Sequence, residues 1–142
     1  MKRTANVVGY ALALVLVAAG VGSETPPPPF MNELYPPELI MRHGREIELT
    51  PEQREAIGGF VKETQAETFD LQWEMQAAAQ SLTEAMSRDE VDEKTALDAA
   101  TSVMAIEGKV KRAHLRLLIR IKNRLTKAQQ QKLRALRARA PH

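Results

Sequence analysis

Along residues 50–87, apolar or small positions recur at alternating steps of four and three: Ile57, Val61, Thr64, Thr68, Leu71, Met75, Ala78, Leu82 and Ala85. This spacing winds slowly around an α-helix and makes the seam of a helix packed along a near-antiparallel partner. A second stripe follows at Ala99, Val103, Ile106, Val110, Ala113, Leu117 and Ile121. Between the stripes, Arg88 to Asp92 is a polar turn. Two long helices of similar length joined by so short a turn must fold back on one another. Shorter apolar groups flank them. Leu39, Ile40 and Met41 predict a helix over about 37–46, weakened at its end by Gly44, and a fourth helix runs from Thr126 towards Arg139. The predicted fold is all-α: a long antiparallel helical hairpin with short flanking helices.

The helix starts are written in one phrase used twice, Leu49-Thr50-Pro51-Glu52-Gln53 and Leu125-Thr126-Lys127-Ala128-Gln129. A Thr N-cap accepts from a backbone N–H that has no partner inside the helix. A Gln three residues on reaches back to the cap's own N–H, which completes a capping box. Pro51 occupies the first helical position, where its missing N–H costs nothing. The antiparallel return predicts that Thr50 and Thr126 lie at the same end of the molecule. Asp92 is the expected N-cap of the third helix, and Asn123 is expected to close it in a left-handed cap. Gly58 and Gly59 interrupt the second helix, at about 1 kcal/mol each relative to Ala, and predict a bend or a close backbone approach.

Polarity changes sharply before the first helix. Lys2 and Arg3 precede an apolar run from Val7 to Ala19, with small residues through Gly22. Residues 1–22 read as an export signal; an N-terminal membrane anchor is the alternative. Residues 23–34, with four consecutive prolines, read as an extended linker, and residues 35–139 as the helical domain. The expected location is the periplasm, with membrane contact only through an uncleaved N-terminus. Cysteine is absent, so disulfides and thiolate metal sites are excluded. Charge is strongly segregated. All 18 acidic residues lie between Glu24 and Glu107, beside only six basic ones, whereas Gly108 to His142 carries 12 basic residues and no acid. The basic return of the third helix therefore runs along the acidic start of the second.

Candidate chemistry is sparse. No nucleophile–base constellation or glycine-rich phosphate loop is present, so the chain does not read as an enzyme. His43, Glu63 and His114 are the candidate metal ligands. His43 lies on the first helix with Glu46 one turn on, and His114 lies near the third-helix seam, where early second-helix carboxylates (Glu63, Glu67) return towards it. The expectation is a structural histidine and no cofactor; the alternative is a metal site, since imidazole with carboxylate suits nickel, cobalt, copper or zinc. Phe69 and Trp73 fall on the helix face opposite Leu71 and predict an interaction surface. Its expected occupant is a second copy of the chain, another protein, or the first or fourth helix of the same monomer. A small elongated domain also favours a homodimer. The basic C-terminal tail lacks aromatics for base stacking, so nucleic acid is not expected.

These features together resemble the Spy/CpxP family of periplasmic proteins, a group that includes zinc resistance-associated proteins and CnrX-like heavy-metal sensors. The resemblance rests on the two L-T-x-x-Q phrases and on the stretches LTPEQREAI, VDEKTALDAA and KRAHLRLLIRIKNRLTKAQQQKLRAL, and spans about Tyr35 to Arg137. It implies a cradle-like all-α homodimer. Spy-like members bind unfolded clients without ATP through basic and apolar patches, which implies a client or dimer surface of Phe69, Trp73, Arg112, Arg116 and Arg120. CpxP-like members damp an envelope sensor protein. CnrX-like members bind nickel or cobalt through H-x-x-x-H and H-x-x-x-M pairs. Here His43 is followed by Ile47 and His114 by Leu118, which leaves His43, His114 and Glu63 as the ligands implied. The expected function is an ATP-independent chaperone of envelope stress; the alternative is a heavy-metal sensor or resistance regulator.

Overall fold

The structure is a computed structural model and describes residues 26–139. The signal or anchor assigned to residues 1–22 lies outside the described residues. Among those described, the chain is all-α, with four α-helices and no strand: α1 Pro37–His43, α2 Pro51–Met86, α3 Glu93–Arg124 and α4 Lys127–Arg139. The proline-rich segment departs from expectation. Pro29–Glu33 forms a turn of 3-10 helix rather than continuing extended, while Pro28 before it keeps extended backbone.

The described chain divides into two compact units, residues 71–108 and residues 27–70 with 109–139. In the 71–108 unit, Leu71, Val103 and Ile106 are buried along the two predicted stripes, and Ala96, before the second stripe begins, is buried as well. The polar turn separates α2 from α3 as expected, and Asp92 caps α3 by accepting from the Thr95 N–H at 2.9 Å. The Thr95 hydroxyl, then its N–H, hold the Asp92 carboxyl below its ordinary 3.8. The cap's contribution is therefore complete above the unfolded value and lost as pH falls through the lower folded one.

The other unit holds the larger core. Tyr35, Ile40, Ile47, Ile57, Leu117, Ile121, Leu125 and Leu133 form one buried cluster, with Leu39, Leu49, Phe60, Val61 and Leu136 packed against it. Here the early α2 and the late α3 run antiparallel. Arg116 reaches Glu67 at 3.0 Å and Arg120 reaches Glu63 at 2.8 Å, the charge pairing expected. These pairs are solvent-exposed and contribute about 0–1 kcal/mol each; their role is to favour this register. Arg120 also lies 4.1 Å from the centroid of the Phe60 ring.

Three local expectations are corrected. Asn123 does not close α3, because the helix continues through Arg124. Its last carbonyls are satisfied by the Leu125 N–H on Lys122 O (3.2 Å), the Gln130 amide on Lys122 O and Leu125 O, and the Gln53 amide on Arg124 O. No left-handed residue is then required. The left-handed position lies instead at Glu48 (φ 54°), after α1. Gly44 is right-handed there, and a Cβ on it would stand 3.2 Å from Ile40 O. Finally, Gly58 and Gly59 mark no close approach within the chain, since a Cβ on either meets nothing within 4 Å and α2 continues through them. Gly58→Ala and Gly59→Ala should each stabilise the protein by about 0.5–1 kcal/mol. Urea titration checks this; a lowered midpoint would mean that α2 needs flexibility there.

Candidate functional site

The repeated phrase builds one site from two helix starts. In the first copy, the Gln53 N–H donates to the Thr50 hydroxyl at 3.1 Å, and Gln53 Oε1 accepts from the Thr50 N–H at 3.1 Å. In the second copy, the Gln129 N–H donates to the Thr126 hydroxyl at 3.2 Å, and Gln129 Oε1 accepts from the Thr126 N–H at 2.9 Å. Both are complete capping boxes. Thr50 and Thr126 lie at one end of the hairpin, because the two glutamines meet. Gln53 Nε2 donates to Gln129 Oε1 and Gln129 Nε2 donates to Gln53 Oε1, both at 2.8 Å.

Each amide spends its remaining donor in the same crossed way. Gln53 Nε2 reaches Arg124 O, just before the second box, at 2.8 Å; Gln129 Nε2 reaches Ile47 O, just before the first, at 3.3 Å. A carboxamide offers two donors and two acceptor lone pairs, and here every one is used on both residues. They can therefore be buried, with Gln53 at 9% and Gln129 at 7% exposure. Leu125 beside the second box is in the buried core and Leu49 packs against it. The spacing foretold each cap, but not that the two glutamines bond to one another. Helix-start grammar is local, and the pairing depends on the hairpin's register.

The metal-ligand candidates do not converge. Among the described residues, no three His, Asp or Glu side chains are grouped so as to hold a metal ion. The register explains why. The Glu67–Arg116 and Glu63–Arg120 pairs set four residues on α2 against four on α3, so position 114 lies level with position 69. That is about 9 Å along the axis from Glu63. Glu63 is occupied by Arg120, and His114 is exposed. His43, with 18% of its side chain exposed, has its Nδ1 2.9 Å from Glu46 Oε1. Ile47 and Leu118, where the resemblance would put further ligands, are core residues at 1% exposure each. His43, Glu63 and His114 therefore do not meet at one site among the described residues.

The proposed surface residues divide. Arg116 and Arg120 are engaged with Glu67 and Glu63, whereas Arg112 is exposed and makes no ion pair among the described residues. Phe69 and Trp73 are 58% and 63% exposed. Sequence reasoning missed Tyr35, which is fully buried, and Arg137, whose guanidinium donates to Asn32 O at 2.8 Å and Leu34 O at 2.6 Å. Their only signal was an aromatic next to prolines and an arginine among many.

Comparison with known proteins identifies the chain at the level of a family. No curated protein and no solved structure matches the chain. The family model for heavy-metal resistance matches residues 4–132, almost the whole chain, and it begins within the N-terminal basic and apolar segment. The chain belongs to the heavy-metal resistance family.

Proposed function

We propose that this chain serves heavy-metal resistance as an exported periplasmic protein that regulates or protects other proteins under metal stress. The family match over residues 4–132 carries the reading. Cells lacking the gene should lose tolerance to at least one of nickel, cobalt, copper and zinc, and expression of the chain should restore it. Unchanged tolerance to all four would overturn the proposal.

No ligation step is assigned to His43, Glu63 and His114 together. Calorimetry with the same four metals should give curves for His114→Ala and Glu63→Gln that match the unaltered chain. Heat present in the unaltered chain and abolished in either variant would show that these residues do act as ligands.

A second reading, ATP-independent holding of unfolded clients, is favoured by the exposed aromatics on α2. Phe69 and Trp73 are two large aromatics one turn apart on α2, each more than half exposed. The chain should suppress aggregation of a denatured model substrate at stoichiometric amounts, and Phe69→Ser with Trp73→Ser should weaken this several-fold. No suppression by the unaltered chain would remove the client reading and leave the resistance role standing.

A further inference from the structure

Within the unit formed by residues 27–70 and 109–139, α3 is two-sided. Ala113, Leu117 and Ile121 are buried in the unit. On the opposite side lie Lys111, Arg112, Leu115, Ile119 and Lys122, which share an arc of about 100° at 100° per residue. Leu115 is 37% and Ile119 44% exposed. Lys111 and Arg112 are exposed, and Lys122 stands 3.9 Å from Glu33, at the limit of an ion pair. No acidic residue occurs after Glu107, so α3 itself supplies no carboxylate to this arc, and Lys111 and Arg112 have no acidic partner among the described residues. Arg116 and Arg120 belong to the flank turned towards α2, where Glu67 and Glu63 engage them. A pair of apolar side chains ringed by basic ones suits shallow insertion into an anionic lipid surface.

The chain's own N-terminal side points to the same occupant. The strap that follows residues 1–26 is fixed in this unit. Arg137 holds Asn32 O and Leu34 O, Arg134 holds Glu33 at 3.0 Å, and Tyr35 is buried. The apolar run Val7 to Ala19 therefore joins the unit that carries the basic arc. Even fully extended, residues 20–28 span only about 30 Å. With the run in a bilayer, the arc is held within about a domain's width of it.

We propose that this face of α3 docks on an anionic bilayer. Leu115 and Ile119 enter the boundary between headgroups and acyl chains, while Lys111, Arg112 and Lys122 meet headgroup phosphates. The absence of cysteine makes a direct test possible. Full-length chain carrying Ile119→Cys is labelled with an environment-sensitive fluorophore and reconstituted with vesicles of phosphatidylglycerol or of phosphatidylcholine. A second protein labelled through Glu55→Cys, on α2, is the control, and circular dichroism confirms that each variant is folded.

The label at position 119 should shift to the blue in phosphatidylglycerol and not in phosphatidylcholine, and the control label should not shift in either. The shift should be lost with Lys111→Glu plus Arg112→Glu, and at high salt. No shift in phosphatidylglycerol, an equal shift in phosphatidylcholine, or a shift that survives charge reversal would overturn the proposal. So would an equal shift given by a poly-glutamate peptide without lipid, which would assign the face to acidic polypeptides.

Discussion

Gln53→Ala is expected to lower folding stability by about 3 kcal/mol, far more than an exposed capping residue would. Losing a helix-capping interaction ordinarily costs about 1 kcal/mol. Gln53, however, is buried and serves three other groups: the Thr50 N–H, Arg124 O and the Gln129 amide. Its removal leaves Gln129 buried with one donor and one acceptor unmet, and each buried polar group left unpaired costs about 1–3 kcal/mol. The pseudo-symmetric arrangement predicts a similar loss for Gln129→Ala. Denaturant unfolding measures both, and a loss below about 1 kcal/mol in each would reduce the glutamines to ordinary caps.

Leu133→Ala should cost as much or more, about 3 kcal/mol within the 2–5 kcal/mol range of buried leucine truncations. Leu133 is fully buried in the main cluster. It is also a principal anchor of α4, which has only 13 residues and buries Gln129 and Leu133 alone. Helices of that length are marginal in water without packing, so truncation should release α4 as well as open a cavity. Hydrogen exchange should show α4 amides losing protection ahead of those in α3. Loss spread evenly over both helices would contradict local release.

The hairpin was legible in the sequence because its stripes are long. Every seam position named on α2, from Ile57 to Ala85, is buried or partly buried, as is every one on α3. Such regularity survives local exceptions, and α2 continues through two glycines. Helix ends were less legible. Asn123 carries a left-handed signal, but side-chain amides, from Gln53 far back in sequence and from Gln130 in the next helix, satisfy the carbonyls that such a cap would have served. The turn after α1 places Glu48, not a glycine, at positive φ. The candidate metal ligands failed for a register reason. Helical spacing says which face a residue occupies, but the level of His114 against Glu63 depends on how far one helix slides along the other. Arg116 and Arg120 are expected both beside the acidic α2 and on a client surface, and the structure shows them engaged with Glu67 and Glu63.

The account's central claim is that two copies of one capping phrase fasten the starts of α2 and α4 to each other. A double-mutant cycle on Gln53→Ala and Gln129→Ala tests it most directly, because it isolates the pair term from each residue's own cap. Once one glutamine is gone, the other has already lost its partner, so the second replacement should cost much less. The account predicts a coupling of about 1.5–3 kcal/mol, in the range found for buried networks. Additive losses, with coupling below about 0.5 kcal/mol, would mean that the two boxes act independently and would contradict it.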